Sequence, residues 1–155
     1  MMRARWFRVG ASVVCGLMFL AAGLSTDREV EPTAMTFEAV EVYIDSGTRA
    51  LAAFQFELLD RSAQAKIVGV EGGDHPVFRE PPYYDPAALQ NRRIVIAAFD
   101  TGSELPVGKT RVATLHMVVP ADRVPDYAAT LTVAGTTGGA DITKTCKITW
   151  VRKKG

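Results

Sequence analysis

Glu71, Asp74 and His75 fall within five residues of each other in the stretch EGGDH, and Asp85 follows ten residues later. Carboxylates and an imidazole on one loop are donors for a divalent cation, calcium above all where a carboxylate-rich loop is exported. The D-x-[DN]-x-[DN]-G spacing of a calcium loop is absent. The expectation is therefore a set of solvated loop charges and no cofactor, with Glu71, Asp74 and His75 as the candidate ligands for calcium if a cation is held at all. Nucleophilic chemistry has less to work with. Cys146 sits in TKTCKITW, an alternation that reads as a strand with a buried, inert thiol. A reactive cysteine needs a histidine, and nothing in the spacing ties His75 or His116 to it. No G-x-S-x-G occurs, and the glycines of TGSELPVG and AGTTGGAD lack the lysine of a phosphate cradle, so they read as turns. These residues do not describe an enzyme.

A different chemistry is available to the rest of that region. Residues 71–91, EGGDHPVFREPPYYDPAALQN, show no sustained periodicity, and loops this long in compact domains are usually functional or disordered. Phe78, Tyr83, Tyr84 and Leu89 are too apolar for a free segment. Pro81-Pro82 stiffens the middle, and the adjacent tyrosines offer flat, amphipathic contact area at low entropic cost. Asp85 reads as the N-cap of a short helical turn with Pro86 at its first position. Tyr83, Tyr84, Phe78 and Asp85 are thus the candidate binding residues. So much apolar loop must also bury part of itself, and one tyrosine in and one out is the natural division.

The elements that position this loop are read from the alternation on either side. LAAFQFELLD, residues 51–60, is rich in helix formers, yet Phe54, Phe56 and Leu58 alternate with Gln55 and Glu57. Its neighbours decide the matter. Residues 37–45, 65–73, 92–100, 110–120, 127–135 and 145–152 are short runs, β-branched or aromatic, bounded by Gly, Pro, Asp or Ser. Among the residues after the N-terminal segment, no stretch keeps an i, i+3, i+4 pattern over three turns. Seven strands without long helices between them predict an all-β, antiparallel β-sandwich, jelly-roll or immunoglobulin-like in order.

Composition adds an address and excludes some partners. MMRARWFR is a basic start, and residues 9–24 form an uninterrupted apolar run of 16 residues, short of the 18 that argue a spanning helix. Ala21 and Gly23 have the spacing of a signal-peptidase site. The segment is expected to be a signal peptide or, if uncleaved, a membrane anchor, and the protein to be secreted or held in the cell envelope. Without residues 1–25 the chain has 15 basic against 17 acidic residues, which gives no footprint for nucleic acid. The expected division is 1–25 signal, 26–35 linker, 36–152 sandwich and 153–155 basic tail.

The succession VEVYIDSG, LAAFQFELL, AKIVGVEGG and RIVIAAFDTGSELPVGKTRVATLHMVV resembles a bacterial cohesin-type domain, within the carbohydrate-binding-like β-sandwiches, over roughly residues 37–119. The chain departs from that pattern in one place. Cohesin-like sequences usually carry Tyr-Asp-Pro directly after the FQFEL strand, whereas here Tyr84-Asp85-Pro86 comes about 25 residues later. A dockerin-binding surface is therefore not carried across by position. What the resemblance implies is a noncatalytic binding or scaffold module that docks a protein partner or a polysaccharide. The alternative is a structural envelope protein, anchored by its N-terminal segment and without a dedicated ligand.

Overall fold

The computed structural model describes residues 33–155; the expected signal segment and most of the expected linker lie outside them. The described chain is all-β. Eight strands run β1 Met35–Asp45, β2 Ala53–Asp60, β3 Lys66–Gly72, β4 Tyr83–Tyr84, β5 Arg93–Phe99, β6 Lys109–Pro120, β7 Tyr127–Gly135 and β8 Lys147–Lys154. They form two antiparallel four-stranded sheets, β3-β6-β1-β8 and β4-β5-β2-β7. Strand 1 lies beside 8, 2 beside 7, 3 beside 6 and 4 beside 5. That is the jelly-roll pairing, since only β4 and β5 are sequence neighbours within one sheet.

The eighth strand is the one the pattern did not show. Tyr83 and Tyr84 pair with Ala97 and Ile96, and two residues are too few to leave a period. At the other extreme β8 runs through Lys154, so Lys153 and Lys154 pair with Ala39 and Glu38 instead of trailing as a tail. Exposed lysines along β8, the edge of its sheet, discourage further strand addition.

Burial follows the period of two. Phe54, Phe56 and Leu58 of β2 are essentially inaccessible, as are Val40, Val42 and Ile44 of β1, and the two rows meet in the core. Tertiary burial of two phenylalanines outweighs the helix propensity of their neighbours. The core is completed by Ile67, Ile94, Ile96, Leu115 and Met117 from three further strands.

Two carboxylates are buried with this apolar set. Asp60, fully inaccessible at the end of β2, accepts hydrogen bonds from the backbone N–H groups of Ser62, Gln64, Ala65 and Asp126 and from the Ser62 hydroxyl, at 2.6–3.0 Å. It thereby ties the β2–β3 turn to the β6–β7 loop. Burial raises its pKa, but the donors outweigh burial and hold the carboxyl below its ordinary range. Glu38 of β1 accepts from the Tyr127 hydroxyl of the opposite sheet at 2.6 Å and from Arg152 of β8 at 2.6 Å. Burial and that hydrogen bond push the Tyr127 phenol far up.

Candidate recognition site

The long loop is positioned by a close backbone approach. A Cβ on Gly72 would overlap the Arg79 carbonyl, and one on Gly73 the Arg111 carbonyl, so the glycine pair lets the loop lie against β6. The Gly73 N–H donates to Phe78 O at 2.6 Å and the Asp74 N–H to Arg111 O at 3.1 Å, which closes the first half. In the second half Asp85 accepts from the Ala87 N–H at 2.9 Å and caps the single 3-10 turn Pro86–Ala88.

The structure separates the four residues expected to bind. Phe78 is buried and meets Phe54 edge-on at 5.1 Å, so it belongs to the core and offers nothing to a partner. Tyr84 is half-buried and packs on that core. Asp85 is exposed but occupied with its cap. Tyr83 is different. It is 69% exposed on the outer face of the second sheet, near-parallel to Phe99, itself 66% exposed, with ring centroids 6.1 Å apart.

Phe99 is the residue that sequence reasoning missed. On β5, Ile94 and Ile96 point inward, so Val95, Ala97 and Phe99 occupy the outward parity, and that parity was the available signal. Val95 and, from β7, Val133 extend the exposed apolar area. On the same face the Gln55 amide donates to the Thr132 hydroxyl at 3.1 Å, and Glu57 pairs with Arg93 at 2.6 Å.

The ligand candidates are dispersed as well. Glu71 approaches His116, with 3.0 Å between carboxylate oxygen and Nε2, though not in hydrogen-bonding geometry. Asp74 pairs with Arg111. Among the described residues no group of three or more His, Cys, Asp or Glu side chains is placed to hold a metal ion. Glu71, Asp74 and His75 therefore do not form a cluster: the loop lies against β6, and β6 supplies partners of its own. Arg111 also reaches Glu41, which receives the Tyr43 hydroxyl at 2.9 Å and lies 3.6 Å from Lys153. The Tyr43 bond holds Glu41 low and pushes Tyr43 up. Cys146 is half-buried and packs on the core, its thiol pushed up by burial and away from the reactive thiolate.

No family model matches the sequence, and no curated protein matches it. A solved cohesin–dockerin structure, a crystal structure of a complex between a CaDoc0917 variant and CaCohA2 at pH 5.5, is similar with a TM-score of 0.53. The likeness covers 71% of this chain and 82% of that chain at 11% sequence identity. The fold is cohesin-like. At that identity the likeness extends to architecture and not to any surface residue.

Proposed function

We propose that this protein is an exported, noncatalytic recognition module that docks a protein partner through the outer face of its second sheet, with Tyr83 and Phe99 at the centre. The observation that carries the reading is the pair itself. Two aromatic side chains, each about two-thirds exposed, stand together on one sheet face beside exposed valines. Aromatic anchors of this kind dominate protein interfaces, and burying either would contribute about 1.5–3 kcal/mol. The cohesin-like fold and its solved relative in complex with a dockerin favour a protein partner over a polysaccharide. Export is supported by the basic start and apolar run of residues 1–24.

The test is a pair of substitutions, Tyr83→Ala and Phe99→Ala, each assayed for thermal stability and for binding to envelope proteins and a polysaccharide panel. Both variants are expected to lose protein binding at least about tenfold while the melting temperature stays nearly unchanged. Binding retained by both variants would remove the site. Loss of polysaccharide binding alone would assign the face to glycan.

A further inference from the structure

One end of the sandwich brings exposed apolar side chains and cations together. At the end where β1 begins, Met35, Phe37 and Val124 are 49%, 68% and 76% exposed. Lys66, Arg123, Lys153 and Lys154 are exposed on the same end, because β3 and β7 start there and β6 and β8 finish there. Lys66 and Lys154 have no ion-pair partner among the described residues. Lys153 and Arg123 have only distant ones, Glu41 at 3.6 Å and Asp122 at 3.5 Å. Two depressions flank Phe37, one of about 270 Å³ lined by Arg123, Val124, Arg152 and Lys154 with Asp122 and the Arg152-paired Glu38, the other of about 190 Å³ lined by His116, Lys153 and Lys154 with Glu38. The opposite end mixes its charges, with Asp74, Glu80, Asp100, Glu104 and Asp141 beside Arg49, Arg79, Lys109, Lys144 and Lys147. Met35, Phe37 and Val124 thus stand among loosely paired cations at the end where β1 begins.

That end is also where the preceding chain joins the sandwich. Residues 9–24 are continuously apolar and follow three arginines, and only residues 25–34 separate them from Met35. Ten residues span at most about 35 Å when fully extended. Any bilayer engaged by the apolar run is thus within reach of Phe37 and its cations.

We propose that this end is a docking surface for an anionic lipid bilayer. Phe37 and Val124, with Met35 beside them, seat at the boundary of headgroups and acyl chains. Lys66, Arg123, Lys153 and Lys154 receive the lipid phosphates, and the depressions beside Phe37 accommodate headgroups. Apolar insertion and electrostatic attraction act together, as two weak signals must for stable peripheral binding. Tyr83 and Phe99 lie toward the far end of the second sheet, since Tyr83 pairs with Ala97 and Phe99 ends β5. A domain docked this way would present them away from the membrane.

The experiment uses the compact unit Pro32–Gly155, within which both sheets and the whole core close. Sedimentation with vesicles of equal parts phosphatidylglycerol and phosphatidylcholine is compared with pure phosphatidylcholine. The unit is expected to bind the anionic vesicles, to be released by salt, and to bind the neutral ones at least about tenfold more weakly. Phe37→Glu with Val124→Glu, and separately Lys153→Gln with Lys154→Gln, should each reduce binding at least about tenfold. All four positions are exposed, so the melting temperatures should match the parent, and the glutamine pair stands as the test if the glutamate pair unfolds. Tyr83→Ala should leave vesicle binding unchanged, which separates this result from that of the recognition face. No binding to anionic vesicles, or binding insensitive to salt and to both pairs, overturns the proposal. A concentration-dependent dimer abolished by Phe37→Glu would give the surface to a second copy and overturn it equally.

Discussion

The two sheets are built from strands of the same kind, yet the charged network around Glu41 on one outer face and the aromatic pair on the other differ in chemistry. On the first sheet, Glu41 is engaged by Tyr43, Arg111 and Lys153, Asp74 by Arg111, and Lys109 lies 4.8 Å over the Tyr43 ring. On the second sheet, Tyr83, Phe99, Val95 and Val133 face solvent beside a Gln55–Thr132 hydrogen bond and a Glu57–Arg93 ion pair. A partner approaching the first face would have to desolvate charges already paired, at a cost that often exceeds the gain. A partner approaching the second would bury apolar area that water covers at present. The comparison teaches that abundance of polar side chains is a poor guide to a binding face. What matters is which groups the fold has left unsatisfied.

The largest effect that could break the comparison concerns which side of β2 is outer. Phe56→Ala should cost about 3–5 kcal/mol in chemical denaturation, and Gln55→Ala about half a kcal/mol or less. Similar costs would mean that β2 is not a strand with one buried and one solvated face.

A somewhat smaller effect is expected at Asp60, which joins two connections between the sheets. Asp60→Ala leaves five donors without their acceptor and should cost about 3 kcal/mol. The same carboxyl gives a pH signature. Its folded value is depressed below the ordinary 3.8, so its contribution is complete above that value and is lost as pH falls through the folded value. Urea midpoints measured between about pH 5 and about pH 2 should therefore fall steeply in the parent and less steeply in Asp60→Asn.

The smallest effect sharpens the contrast between the faces themselves. Arg111→Ala should cost about 0.5–1 kcal/mol of stability, because its pairs are only partly buried, and should leave partner binding intact. Tyr83→Ala should do the reverse, with about half a kcal/mol or less of stability lost and binding lost with it. Equal behaviour of the two variants in a binding titration would dissolve the distinction.

Much of the fold was legible in the residues because alternation is a local signal. The parity of Phe54, Phe56 and Leu58, and of Val40, Val42 and Ile44, fixes which side of each strand is buried whatever lies opposite. The Asp85-Pro86 cap is equally local, since its donor is two residues away. Parity on β5 also held the exposure of Phe99, although the attraction of the tyrosine pair drew attention elsewhere. Glu38 was legible in the same way: it shares the inward parity of Val40, and a buried glutamate requires partners.

The partners themselves were not legible. Tyr127 and Arg152 reach Glu38 from 89 and 114 residues away. Phe78 reads as a loop aromatic free to bind, and only its packing against Phe54 of β2 makes it a core residue. Glu71 and Asp74 are three residues apart in sequence, yet they meet His116 and Arg111, different residues of β6. Seven of the eight strands, their inward residues and the apolar N-terminal run could be read from the residues alone. The tertiary structure decided which sheet each strand joined, which exposed groups found partners, and which were left facing water. The physical reason is range: side-chain parity is set over two residues, whereas satisfaction of a charge or burial of a ring depends on strands that meet only when the sandwich closes.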